Sequence, residues 1–202
     1  MRSGFSTRVA TYILVGFLIG VALAWVFFFG IPNAGSEQSN RDLSTASPAF
    51  TTMGTAISKI APEIGAQAPE FALRDLEGNE VRLSDYRGRT LLLTFWATWC
   101  GPCRLEMPAF EARYHELLDD GFTVLAIDFD EPEEDVRVFR DELGLSFPLL
   151  LDPGGSVQRL YRIRGYPSGI FVDPLGVVRI VHVGLITEGQ LTDYLAELGY
   201  SL

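Results

Sequence analysis

Cys100 and Cys103 are the only cysteines of this 202-residue chain, and Gly101-Pro102 separates them in Trp99-Cys100-Gly101-Pro102-Cys103. The apolar run Leu91-Leu92-Leu93-Thr94-Phe95-Trp96 lies just before the pair, and a helix-like segment from Arg104 to Leu118 follows it. A strand that delivers a cysteine pair to a helix start makes one sulfur a good nucleophile and keeps the second within reach to resolve the product. That is the chemistry of dithiol–disulfide exchange. Unpaired N–H groups and the helix dipole favour an anion at Cys100, lowering its thiol from about 8.5 toward about 7. Cys103, one turn further in, is placed to resolve the mixed disulfide. Two blander readings compete. A zinc site needs two more soft or imidazole ligands, and only His115 and His182 exist, at spacings that fit no familiar site. A disulfide scaffold needs more than two cysteines. Redox chemistry is the expectation, with no metal and no cofactor beyond the cysteine pair.

Three other constellations merit weighing. Glu106 lies three residues after Cys103, on the same helix face. A carboxylate there can take and return the Cys103 proton; an ordinary first-turn acid that complements the dipole has the same spacing. Tyr166-Pro167-Ser168 precedes an apolar strand. An X–Pro bond at that point is a candidate cis peptide that presents a backbone edge to an extended substrate, with a plain edge proline as the alternative. Six acids crowd the stretch from Asp128 to Asp135. Helix capping accounts for most of them better than a hard-metal site does. His115 falls on a helix and His182 on a terminal strand, with no partner visible.

The elements that must position these residues follow from pattern. Glu70 to Arg74 and Glu80 to Leu83 alternate around Glu77-Gly78-Asn79 and predict a short hairpin. Thr90 to Trp96 and Phe122 to Phe129 are continuous apolar runs, as in strands buried on both faces. Pro102 suits a first helical turn, while Pro108 inside the same helix predicts a kink. Asp130 is the predicted cap of the next helix, with Pro132 and Glu133 to Asp135 in its first turn and Gly144 at its end. Phe147 to Leu151 is a short apolar segment, and Ser156 to Tyr161 is helix-like. Gly169 to Asp173 and Val177 to Val183 flank the turn Pro174-Leu175-Gly176, and a helix from Glu188 to Leu198 closes the chain. Together these predict an α/β mixed sheet with helices on both faces.

The formal charge of −10 argues against a nucleic-acid partner. Residues 9–31 carry no charge and span about 34 Å as a helix, enough to cross a membrane. Arg2 and Arg8 precede this run, and Tyr12 and Trp25 sit toward its ends. The expected layout is a cytoplasmic N-terminus (1–8), one transmembrane helix (9–31), a tether rich in Ser, Thr, Ala and Gly (32–65), and an extracytoplasmic domain (66–202). A cleaved signal peptide ending near Ala34-Gly35-Ser36 is the alternative, although its apolar core would be shorter than this one.

The markers Ala68-Pro69-Glu70-Phe71-Ala72-Leu73, Leu83-Ser84-Asp85-Tyr86-Arg87-Gly88, Phe95 through Pro108 and Pro167 with Phe171-Val172-Asp173 make the chain resemble the membrane-anchored thioredoxin-like proteins of the TlpA/ResA group. The likeness covers residue 65 to the C-terminus. It implies a thioredoxin fold with an added N-terminal β-hairpin. Cys100 would be the exposed nucleophile, Cys103 the resolving thiol, Glu106 the active-site glutamate and Pro167 a cis-proline opposite the pair. Trp99, Gly101, Pro102 and Tyr166 would meet the substrate. The implied task is reduction of extracytoplasmic protein disulfides, such as the haem-attachment cysteines of apocytochrome c, with electrons from a membrane thiol transporter. Gly101-Pro102, as in thioredoxin, favours a reducing potential near about −270 mV. Thr94 stands where thioredoxin carries a buried Asp. Two alternatives come from other classes. A peroxiredoxin-like peroxidase shares the Ala68-Pro69 block but places its Thr two residues further from the cysteine than Thr98 is. A copper-handling protein would use Cys100, Cys103 and His182.

Overall fold

The computed structural model describes Lys59–Leu202. The expected anchor at 9–31, the segment before it and the tether up to residue 58 lie outside the described residues. Among the described residues no helix is long and apolar enough to cross a membrane.

Seven strands form one mixed sheet: β1 (Ala72–Asp75), β2 (Glu80–Arg82), β3 (Thr90–Trp96), β4 (Phe122–Phe129), β5 (Leu149–Asp152), β6 (Ser168–Val172) and β7 (Val178–Val183), in the order β2-β1-β5-β4-β3-β6-β7. β3 runs parallel to β4 and antiparallel to β6, which places the strand leading to the cysteines inside the sheet. All seven of its residues are buried, as a run apolar on both faces requires. β1 and β2 pair antiparallel around the Gly78 turn, and Asp75 closes it by accepting the N–H groups of Glu77 and Asn79. This hairpin joins the sheet through β5.

Four helices cover the sheet: α1 (Gly101–Leu117), α2 (Glu133–Leu143), α3 (Ser156–Leu160) and α4 (Glu188–Glu197). Side-chain alternation along β3 divides the core in two. Leu92 and Trp96 face a cluster with Met107 and Phe110 of α1, Val136 and Phe139 of α2, and Leu191 and Leu195 of α4. Leu91, Leu93 and Phe95 face the other cluster, with Leu83, Val157 and Tyr161. The result is a thioredoxin-like α/β fold with helices on both faces, three on one and the short α3 on the other.

Two local expectations need correction. Asp130 does not cap α2. Its backbone is left-handed (φ 52°), its carboxylate accepts the Gly154 N–H at 2.6 Å, and Pro132 holds the N-cap position without a side-chain bond. A long-range backbone donor competes successfully for the carboxylate that local spacing assigns to the helix. Residues 60–67, the end of the expected tether and the start of the domain, are also pinned: Ile60 bridges Gln67, Gln67 bridges Val177, and Gly65 and Ala66 exchange hydrogen bonds with Val178.

Candidate active site

The turn Ala97–Cys100 connects β3 to α1 and is closed by the Cys100 N–H donating to the Ala97 carbonyl at 3.1 Å. Cys100 is the N-cap of α1: its backbone is extended (φ −79°, ψ 99°), and its Sγ accepts the Cys103 N–H at 3.2 Å. A capping sulfur that receives a helix N–H is in the position where negative charge is best tolerated. Cys100 and Cys103 are joined as a disulfide, with Cα atoms 5.3 Å apart. Their exposure is lower than the resemblance implies. Cys103 is fully covered and Cys100 keeps 4 % of its surface. Gly101 and Pro102 are exposed, and Trp99 is 68 % exposed.

Trp99 meets Tyr166 edge-to-face at 5.7 Å between ring centroids, and Tyr166 meets Phe129 at 5.8 Å. The Tyr166-Pro167 bond is cis. Pro167 itself is buried, and its carbonyl is taken by the Gly184 N–H at 2.9 Å. The open backbone edge is therefore that of Tyr166: among the described residues nothing pairs with its N–H or C=O. Its hydroxyl donates to Gln158.

Glu106 is not a solvated first-turn acid. It is 2 % exposed, and one carboxylate oxygen accepts the Ile186 N–H at 2.8 Å. The other is buried without a bonded partner. Burial pushes its carboxyl up to about 7, partly opposed by the Ile186 N–H and the Thr94 hydroxyl. Thr94 thus sits beside the acid. A groove of about 520 Å³ is lined in part by Leu105, Glu106, Leu185 and Ile186. A carboxyl poised near neutrality, one helical turn from Cys103, is matched to proton transfer at physiological pH.

The two histidines have partners that sequence does not reveal. His115 contacts Glu111 and Ser146, and His182 contacts the Tyr194 hydroxyl and the Leu185 carbonyl. Among the described residues no group of three His, Cys, Asp or Glu could hold a metal ion. β7 holds the His182 imidazole against Tyr194 of α4. The Thr98 hydroxyl donates to Glu131 at 2.5 Å. Glu131, Asp128, Phe129, Gln158 and Ile186 were not singled out by the sequence as individual site residues. The acid crowding around residue 130 marks two of them, and the sequence reads that crowding as helix capping.

Residues 64–181 match the AhpC/TSA family. The chain is 36 % identical over 140 residues to the thiol-disulfide oxidoreductase ResA of Geobacillus thermodenitrificans, covering 69 % of this chain and 80 % of that protein. The chain belongs to the AhpC/TSA family, as a ResA-type thiol-disulfide oxidoreductase. Similarity extends to the thioredoxin-like protein YneN of Bacillus subtilis, at 41 % identity over 130 residues (63 % of this chain, 75 % of that protein). Among solved structures, the thioredoxin domain of a thiol-disulfide oxidoreductase from Bacteroides vulgatus superposes with a TM-score of 0.62 at 28 % identity, covering 68 % of this chain and 99 % of that one. A thiol:disulfide interchange protein from Bacteroides sp. gives 0.61 at 30 % identity, covering 67 % and 89 %. In such an oxidoreductase the cysteine pair is itself the redox group, and protein disulfides are its substrates.

Proposed function

We propose that the chain is a membrane-tethered reductase of extracytoplasmic protein disulfides, among them the haem-attachment cysteines of apocytochrome c. Residues 9–31 anchor it, the segment from residue 32 up to about residue 58 tethers it, and the domain from residue 59 onward carries the chemistry on the outer side. The Cys100 thiolate attacks a substrate disulfide, forming a mixed disulfide and releasing the first substrate thiolate. Cys103 then gives its proton to Glu106 and attacks the Cys100 sulfur. The second substrate thiolate leaves, and Cys100–Cys103 closes as a disulfide. Two electrons have passed to the substrate, and a membrane thiol transporter restores the dithiol.

The observation that carries this reading is the capping geometry of Cys100, with a neutral-range carboxyl buried one turn beyond Cys103. The open backbone edge of Tyr166, beside exposed Trp99, Gly101 and Pro102, offers an extended peptide a place to pair. The uncharged span 9–31 and its flanking arginines support the tether and its orientation. The test uses the full-length chain. Cys100→Ser is expected to abolish reduction of a test disulfide, and retained activity would refute the mechanism. Cys103→Ser is expected to trap clients as mixed disulfides in cells. Absence of apocytochrome c from the trapped species would remove that client while leaving the exchange chemistry standing.

A further inference from the structure

The turn that hands Cys100 to α1 is held from outside by an acid. Both carboxylate oxygens of Glu131 point at Thr98: one accepts the Thr98 N–H at 2.6 Å and the other its hydroxyl at 2.5 Å. Thr98 and Trp99 are the two central residues of the Ala97–Cys100 turn. Glu131 therefore grips one corner of that turn, while Tyr166 packs against Trp99 at the other. The Glu131 N–H in turn donates to the Asp128 carboxylate at 3.1 Å, so the acid that grips the loop is seated by a second acid on β4.

This arrangement is expensive as pure architecture. Asp128 is fully buried, and its other oxygen has no hydrogen-bond partner. Among the described residues no cation pairs with either acid. The titratable group that feels both acids is the neutral Tyr166, from the loop before β6. A fully buried acid with no cation beside it weakens a fold, and such groups concentrate at functional sites.

We propose that Glu131 is a positioning residue for disulfide exchange, clamping Thr98 so that the Ala97–Cys100 turn holds the Cys100 sulfur in its helix-capping pose. Asp128 completes the device. Burial and the neighbouring Glu131 carboxyl hold Asp128 well above the ordinary carboxylate range. Raising the pH ionises Asp128 where it seats Glu131 and loosens the clamp.

The inference rests on Cys100 being the attacking sulfur, and Cys100→Ser tests that separately. In the full-length protein in detergent, Glu131→Ala is expected to lower kcat for a test disulfide by roughly ten- to hundred-fold, with KM little changed, because small misplacements of a reacting group cost that much. Glu131→Gln keeps one acceptor for Thr98 and is expected to restore part of the loss. Asp128→Asn is expected to remove the fall of activity on the alkaline side of neutrality. Wild-type kcat and an unaltered pH profile in Glu131→Ala would overturn the proposal, even with Cys100→Ser inactive. Should Glu131→Ala not fold, Thr98→Val and Asp128→Asn decide: slowed exchange in the first and a flattened alkaline limb in the second support the clamp, and wild-type behaviour in both refutes it.

Discussion

At the scale of single residues, the site is a set of groups whose ordinary properties have been moved by where they sit. Glu106 shows this best. The folded chain keeps its proton up to about 7, against an ordinary value of 4.5. Between those values the unfolded chain binds fewer protons than the folded one, so stability falls as pH rises through this window and is fully present below it. Glu106→Gln removes the penalty. It is expected to raise the melting temperature at pH 8 by several degrees, an effect on the order of 3 kcal/mol at most, with no gain at pH 4. Thermal melts at the two pH values check this. The same variant is expected to slow resolution of the mixed disulfide by about a hundred-fold or more and to erase the pH step near 7 in stopped-flow traces. A stabilised but slower enzyme is what a functional buried acid predicts, and a variant with neither effect would return Glu106 to the role of a plain core residue.

At the scale of elements, helix ends do much of the positioning. Thr187 caps α4 by accepting the Gln190 N–H at 3.3 Å, and Gln190 answers the Thr187 N–H at 3.0 Å. The reciprocal box fixes the loop that carries Ile186, whose N–H holds Glu106. Thr187→Ala is expected to cost about 1 kcal/mol in urea denaturation. It is also expected to shift the Glu106 pH step, because the anchoring N–H loosens. Phe139 of α2 packs on Trp96 at 4.4 Å between ring centroids and lies under the Arg104 guanidinium at 4.6 Å. Phe139→Ala is expected to destabilise by about 3–5 kcal/mol, measured the same way, since it empties the contact between α2 and the strand that delivers the cysteines.

At the scale of the whole molecule, two apolar clusters on opposite faces of one sheet give the region from residue 59 onward its own core. The exchange chemistry is expected to survive removal of residues 1–58 when the test disulfide is soluble. Membrane association is expected to be lost, as fractionation of cells would show. Retained membrane association of the shortened chain would place the anchor elsewhere.

The sequence by itself determined the chemistry and most of the elements. The cysteine spacing, the apolar runs of β3 and β4, Pro102 in the first turn of α1 and Gly144 in the left-handed cap of α2 all act within a few residues of themselves, and local sterics and periodicity reach no further. Only the tertiary structure decided what surrounds the acids near the site and which groups they bond. Glu106 is fixed by an N–H 80 residues away and Glu131 by a turn 33 residues away, while Asp130 is drawn from its predicted helix cap to Gly154, 24 residues on. Those distances are closed by sheet order and helix packing, and a carboxylate's pKa and partner depend on what the closed fold leaves dry around it. Spacing singled out Glu106, but only the assembled core shows which of these acids are buried and which are solvated.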